Sequence, residues 1–385
     1  MRLQTIISGR ASQRLKPKLE YTSRVMTHLL KIALPMTFAA ILVGCTGTAP
    51  PSDTAKKAEA PTTGGEGHDH SEHLRVGIVF DSGGRGDKSF NDSAWAGIER
   101  AKKDFHIEET SIQSPSPAVY EGNLTKLADQ NMDIVFAVGL GQGSALDKVA
   151  AKFPKAIFAI VDGDVKAPNV RMLKFKEEQG SFLAGYLAGC VTKTNKIGFV
   201  GGMEIPLIKK FQYGYAAGAK MANPKVELLP VKYTNDWNNA DAGKASASVL
   251  YASGADIVYH AAGRAGLGVF TAAKEANKFA IGVDSNQDDI QKGLILTSMV
   301  KRVDEAVYQT IKDVVEGKFQ PGEKVYDVAS GGIGLTNFEY TKDKIGEQNL
   351  KLLKEVEEMI AKGELVVPSN EKEYNEFIEK LKVAG

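Results

Sequence analysis

The sequence predicts an α/β protein of two doubly wound parallel-sheet lobes enclosing a ligand cleft. Three observations carry this. From Leu74 onward, short β-branched runs alternate with helical stretches of ten to fifteen residues. The pattern restarts near Gln179, giving two similar units. Asp or Gly follows the apolar runs, as at Asp81, Gly139, Asp162, Gly201, Gly263 and Asp284. Ligands of open parallel sheets bind beyond the carboxyl ends of the strands, so two such ends facing each other make a cleft.

The elements run in order. Leu74–Phe80 reads as a buried strand, followed by a glycine loop and a helix from Ser89 to Phe105. Ser111–Gln113 is a strand, Tyr120–Asn131 a helix and Asp133–Val138 a strand. A helix to Lys152 precedes the strand Lys155–Val161, which ends in Asp162-Gly-Asp164. In the second unit, Gln179–Val191 is a helix rich in Gly and Ala. Lys196–Val200 is a strand, Pro206–Met221 a helix, Val226–Tyr233 a strand and Ala240–Ser253 a helix. Asp256–His260, a helix to Asn277 and the strand Phe279–Val283 complete it. A helix over 302–317 follows. Tyr326-Asp-Val opens a last strand crossing between lobes, and the charged stretch 341–385 forms a helical appendage on the outside.

The amino terminus differs from the rest. Residues 1–44 carry seven basic residues and one acidic residue, with an apolar run at Ile32–Val43. That run is too short to span a bilayer and suits a secretory leader. It ends in Leu42-Val43-Gly44-Cys45, which resembles a bacterial lipobox, with Cys45 the residue lipidated. Met26 opens a more usual leader and is an alternative start. Thr46, not Asp, follows the Cys, so the common inner-membrane retention cue is missing. Residues 45–73, rich in Pro, Thr, Ala and Gly, read as a disordered tether. Its His68-Asp-His-Ser-Glu-His73 cluster offers transition-metal ligands, but a solvated tether holds no coordination geometry. Losing the leader shifts the net charge from +1 to −5, and nucleic-acid binding by bulk charge is excluded. Two cysteines, Cys45 and Cys190, cannot build a disulfide framework or a Cys-rich zinc site. Cys190, in the Gly/Ala helix, reads as a buried thiol.

Enzyme and nucleotide motifs fail on inspection. Ser82-Gly-Gly-Arg-Gly-Asp-Lys-Ser89 has Asp87 where a phosphate loop needs Gly. The glycines at 139–143 and 263–268 lack the dinucleotide order. No nucleophile elbow or His-Glu-x-x-His pair is present. An enzyme would have to work through His260, for which no partner is marked.

Specific motifs go further. Val76-Gly-Ile-Val-Phe-Asp81 followed by Asp87-Lys-Ser-Phe-Asn91 resembles the basic membrane protein (BMP) family. So do Val161-Asp-Gly163, Gly180-Ser-Phe-Leu-Ala-Gly-Tyr-Leu-Ala-Gly189, Lys196-Ile-Gly-Phe-Val-Gly-Gly202, Phe211-x-x-Gly-Tyr-x-x-Gly218, Ala261-Ala-Gly263, Ile281-Gly-Val-Asp-Ser285 and Ser298-Met-Val-Lys301. That family consists of bacterial substrate-binding lipoproteins and includes purine nucleoside receptors of ABC importers. The resemblance covers about Leu74 to Tyr340. It implies a type I periplasmic-binding-protein fold hinged by three crossovers. Its lobes would be 74–172 plus 297–322 and 173–296 plus 323–340, with the 341–385 appendage beyond them.

The resemblance also implies roles. Asp81 matches a base-binding Asp and Phe90 a base-stacking Phe, with Asn91 positioning that Phe. Asp162 matches a second contact to the base, Asp284 and Lys301 match groups that hold ribose, and Gly263 matches a backbone contact. A second aromatic should close the stack from the other lobe, with Tyr259 and Trp237 as candidates. Ser82 and Arg264 depart from the nucleoside-receptor pattern. The implied protein is a monomeric, lipid-anchored envelope receptor, without cofactor. It would capture a nucleoside, or another small solute such as riboflavin, for an ABC permease and its ATPase.

The residue types suit such a ligand. Flat purine faces stack on aromatic rings, carboxylates accept from base N–H groups and ribose hydroxyls, and no basic cluster awaits a phosphate.

Overall fold

The computed structural model describes residues 73–384. The expected leader, Cys45, the tether and all of the histidine cluster but His73 lie outside those residues.

The chain first builds β1 (Arg75–Phe80), α1 (Phe90–Phe105), β2 (Glu108–Gln113), α2 (Tyr120–Asp129), β3 (Ile134–Val138), α3 (Gly143–Lys152), β4 (Phe158–Val161) and β5 (Val170–Phe175). It then builds α4 (Glu177–Val191), β6 (Lys196–Gly201), α5 (Pro206–Ala222), β7 (Glu227–Leu228), β8 (Lys232–Tyr233), α6 (Ala240–Ala252), β9 (Ile257–Ala261), α7 (Gly266–Ala276), β10 (Phe279–Asp284) and β11 (Ile295–Lys301). The remainder is α8 (Val303–Val315), β12 (Gly322–Tyr326), β13 (Ile333–Leu335), α9 (Lys342–Ile345), α10 (Glu347–Ala361) and α11 (Glu371–Ala384).

Two sheets result. The first runs β12-β5-β4-β3-β1-β2 and its pairs are parallel. The second runs β13-β11-β10-β9-β6-β7, with β8 also on β6 and only β13 antiparallel. In each sheet the chain starts inside, steps outward once, then returns to the other side. The order therefore reverses between β1 and β3, and again between β6 and β9. At such a switch point adjacent loops leave in opposite directions and open a crevice. Strands β1, β3, β4, β6, β9 and β10 are almost wholly buried, as expected where helices cover both sheet faces.

Three crossovers join the lobes: Phe175 to Glu177, Lys301 to Val303, and Tyr326 to Ile333. This moves the expected lobe boundaries. Residues 297–301 belong to β11, which pairs with β10 in the second sheet (Asp284 opposite Val300) and with β13 (Met299 opposite Leu335). Residues 323–326 belong to β12, which pairs with β5 in the first sheet. There Tyr326 stacks on Phe175 at 5.2 Å between ring centroids. The strand expected to begin at Tyr326 therefore ends there. Strand β5 had no counterpart in the sequence reading, and Pro230, which lacks an N–H, divides the expected strand 226–233 into β7 and β8.

The second lobe is organised on α4, of which twelve of fifteen residues are buried. It packs on α5 backbone to backbone. A methyl group at Gly185 would sit 1.9 Å from the Tyr215 carbonyl oxygen, and one at Gly218 would sit 1.9 Å from that of Phe182. The carboxy-terminal segment is more than an outer appendage. Leu353, Val356, Met359, Ile360, Phe377 and Leu381 join the main core, and Phe377 meets Phe182 edge-on at 5.8 Å. Among the described residues no helix is long and apolar enough to cross a membrane.

Because the α4–α5 contact has no room for a side chain, Gly218→Val should overpack it, at a cost of about 1–3 kcal/mol. Thermal unfolding followed by circular dichroism should show the midpoint falling by roughly 3–10 °C. An unchanged midpoint would refute the close contact.

Candidate functional site

The crevice between the two switch points encloses a cavity of about 280 Å³, near the lower end of the roughly 300–1,000 Å³ typical of ligand pockets. Strand ends of both lobes supply its polar groups: Asp81 after β1, Asp162 after β4, Asp284 at the end of β10 and Lys301 at the end of β11.

The loop leading into α1 shows how the sequence shapes the wall. The Asp87 carboxylate accepts from the backbone N–H groups of Ser89, Asn91 and Asp92, at 2.9, 2.9 and 3.1 Å. Donors at a helix start have no partner within the helix, and a carboxylate there satisfies several at once. The cap fixes the first turn so that Phe90 and Asn91 both line the cavity. Asn91 Nδ2 then donates to Asp81 Oδ1 at 3.0 Å and to Asp87 Oδ2 at 3.1 Å. Gly83 N–H also donates to Asp81 Oδ1. Burial, with a smaller push from Asp87, outweighs these donors and raises the Asp81 pKa to about 6.

Asp162 and Asp284 hold corresponding places in the two sheets. Both adopt left-handed backbone, with φ of 66° and 64°, a conformation that Asp tolerates better than bulkier residues. Asp284 accepts a short hydrogen bond from Ser89 Oγ across the cleft. Burial raises its pKa to about 7, against the opposing pull of Lys301 and Ser89.

Lys301 is buried, and its Nζ lies 2.8 and 2.6 Å from the two Asp162 oxygens and 2.9 Å from Glu177 Oε1. Its ammonium also lies 5.3 Å from the Phe90 ring centroid and 4.9 Å from that of Phe175. Burial alone would lower its pKa, but Asp162, Glu177 and Asp284 overcome it and hold the ammonium above its usual range. Lys301 acts on Asp284 through its charge alone. The direct partners are Asp162 and Glu177, and Glu177 had not been singled out in the sequence.

Of the two candidate aromatics, Trp237 lines the cavity. Gly202 makes room for its ring, since a methyl group there would lie 2.1 Å from the indole. Tyr259, the other candidate, does not reach the cavity. It is fully buried inside β9, hydrogen-bonded to Ser181 Oγ at 3.1 Å and edge-on to Phe199. Gly263 lines the cavity in left-handed backbone, with φ of 54°. The sequence reading missed an apolar portion of the wall: Tyr120, Leu140, Met203, Ile205, Leu207 and Ile208. The segment 203–208, a loop running into the first turn of α5, carries Met203, Ile205, Leu207 and Ile208 where a solvated surface would be polar, the one signal available.

His260 is fully buried and does not line the cavity; it packs edge-on against Phe270 at 5.0 Å. Burial lowers its pKa to about 4. Among the described residues no group of three or more His, Cys, Asp or Glu side chains could hold a metal ion.

Known proteins give this geometry a context. The Bmp family model, described as ABC transporter substrate-binding protein PnrA-like, matches residues 74–371. A "CD4+ T-cell-stimulating antigen" of Listeria innocua is 35% identical over 88% of this chain and 97% of its own length. An "ABC transporter nucleoside-binding protein BmpA" of Lactococcus lactis is 33% identical over 79% of this chain and 89% of its own. A crystal structure of an ABC transporter solute-binding protein from Aeropyrum pernix superposes with a TM-score of 0.72. It is 30% identical and covers 81% of this chain and 98% of that one. The family, the Lactococcus protein and the Aeropyrum structure are described as binding proteins of transporters, not enzymes, so the alternative through His260 falls.

The two raised carboxyls make stability depend on pH in a defined direction. Each binds its proton more tightly when folded than when unfolded. Their contribution is therefore greatest in acid and is lost as pH rises from about 4 to about 7. Asp284→Asn removes one such penalty. In urea unfolding of ligand-free protein, the variant should gain on the wild type by about 2–3 kcal/mol between about pH 5 and about pH 8. A difference that does not change with pH would contradict the raised Asp284 pKa.

Proposed function

The chain belongs to the Bmp family of PnrA-like ABC transporter substrate-binding proteins, and we propose that its solute is a nucleoside with a purine base. One observation carries this reading. The cavity combines aromatic side chains from both lobes, Phe90 and Trp237, with four carboxylates, Asp81, Asp87, Asp162 and Asp284, and among the described residues only two cations line it, Lys301 and Arg264. Flat base faces suit the rings. The base's N–H edge suits Asp81, held by Asn91, and the ribose hydroxyls suit Asp284. Lys301 is anchored to Asp162 and Glu177, which favours a hydroxyl partner over a phosphate. In this reading Asp162 acts mainly through Lys301, and Gly263 lets the backbone approach the sugar. The volume suits one such molecule.

The leader and Cys45 support a second part of the reading: a lipid-anchored receptor on the outer face of a membrane, handing its solute as a monomer to a permease driven by an ATPase. The lobes named in the fold would be its two jaws.

Calorimetry with guanosine, inosine and adenosine tests the ligand class, with riboflavin as the competing solute. Wild-type protein should bind at least one nucleoside. Phe90→Ala should weaken it about 10–100-fold, and Asp284→Ala should abolish it with the circular dichroism spectrum unchanged. Heat with riboflavin and none with nucleosides would overturn the reading. For the anchor, cells fed an alkyne-tagged palmitate should label the wild type but not Cys45→Ser, which should leave the membrane fraction. Equal labelling of both would dismiss Cys45 as the lipid site.

A further inference from the structure

The two lobes touch directly, beside the cavity, through side chains that need no solute. The second lobe presents two turns, one carrying Trp237 and Asn238, the other Gly263 and Arg264. The two turns are tied together, because Ala265 N–H donates to the Trp237 carbonyl at 2.9 Å. From this piece Asn238 Nδ2 donates to the Ser82 carbonyl at 2.7 Å. Arg264 Nη2 donates to the Arg85 carbonyl at 2.7 Å and reaches that of Gly83 at 3.5 Å.

The receiving loop of the first lobe is itself held rigid. Ser82 N–H donates to the Tyr120 hydroxyl, Gly83 N–H to the Asp81 carboxylate, Gly84 N–H to the Asp81 carbonyl and Arg85 N–H to the Gln113 side chain. With the loop's N–H groups turned inward on the first lobe, the carbonyls of Ser82, Gly83 and Arg85 are left for the second. At the loop's far end Gln287 Nε2 donates to the Lys88 carbonyl at 2.9 Å and Ser285 Oγ to that of Ser89 at 3.1 Å.

We propose that Asn238 and Arg264 form a latch that closes the lobes on each other independently of the solute. The ligand-free protein then already populates the closed form, and the latch sets how long a captured solute stays. A bond from charged guanidinium to carbonyl is stronger than a neutral one, so Arg264 is the main bar and Asn238 the second. Because the latch is built on the Trp237 turn, it places that ring against the solute in the same movement that shuts the cleft. Opening breaks contacts that solute binding does not need, so the effect falls on dissociation more than on association.

The test uses spin labels introduced by unnatural amino acids at Lys126 on α2 and Lys274 on α7, both exposed and one on each lobe. Bound solute is first stripped by unfolding and refolding. Double electron–electron resonance of ligand-free protein should show a short-distance closed population. Asn238→Ala with Arg264→Ala should deplete it, leaving only what the bonds of Ser89, Ser285 and Gln287 hold, while Arg264→Lys, which keeps a donor, should retain more. Asn238 is exposed and does not line the cavity. The single variant Asn238→Ala thus separates the latch from any solute contact of Arg264, and should raise the dissociation rate of guanosine about threefold to tenfold. A wild type that is fully open without solute, or distance distributions identical in wild type and double variant, would overturn the latch. If guanosine does not bind, the ligand-free distances still decide it, so a wrong ligand class and a wrong latch give different results.

Discussion

One buried ammonium holds the centre of this molecule. Lys301 sits at the end of β11, one residue before a crossover, and Glu177 sits one residue after another. Asp162 reaches the same nitrogen from the first lobe. Burying a lysine is costly unless its charge is met, and here two carboxylates and the faces of Phe90 and Phe175 meet it. Removing one partner from such a set typically costs about 3–5 kcal/mol, because the others are left buried and unbalanced. Lys210, 3.2 Å from Glu177, extends the set into α5. The cavity floor and the junction of the lobes are thus one electrostatic unit.

Around that unit the two sheets repeat a single device. Each places an Asp in left-handed backbone on the strand two places from the switch point, Asp162 in one and Asp284 in the other. Such a backbone turns the chain abruptly at the strand end and leaves the short side chain in the crevice. The two have diverged in partner. Asp162 is committed to Lys301 within the protein, whereas among the described residues Asp284 receives only a hydroxyl from Ser89. Its charge is less completely answered, which leaves it the stronger acceptor for something not part of the chain.

The sequence made much of this legible because parallel strands buried on both faces are written as short apolar runs with a polar stop. Asp81, Asp162, Gly263 and Asp284 stand at such stops, and all four reach the cavity. The same logic misled at Tyr259. It lies within the strand, two residues before its end, where packed helices bury it. The edge strand β12 and its neighbour β5 were harder to see. β12 reads Gly-Glu-Lys-Val-Tyr, half exposed and charged. β5 carries Arg171, whose charge is hidden by Asp313 and the Gln320 carbonyl. Tyr120 opens α2 and the apolar segment 203–208 spans a loop and the first turn of α5, and only the topology brings them to the crevice. The cross-lobe bonds of Asn238 and Arg264 join residues more than 150 positions apart in the chain, a distance over which no local pattern carries information.

The crossovers differ in length, and this has a mechanical consequence. Two have a single residue between elements, Lys176 and Arg302, while the third has the six residues 327–332. Short links can swivel but cannot stretch, so any rotation of one lobe against the other must take its axis close to both of them. Displacement in a rotation grows with distance from the axis. The Lys301–Glu177 pair lies almost on the pivot and stays together as the jaws swing. The bonds to Ser82 and Arg85 lie at the end of the lever arm and part first. The fold thus separates a fulcrum, which must never let go, from a rim that has to.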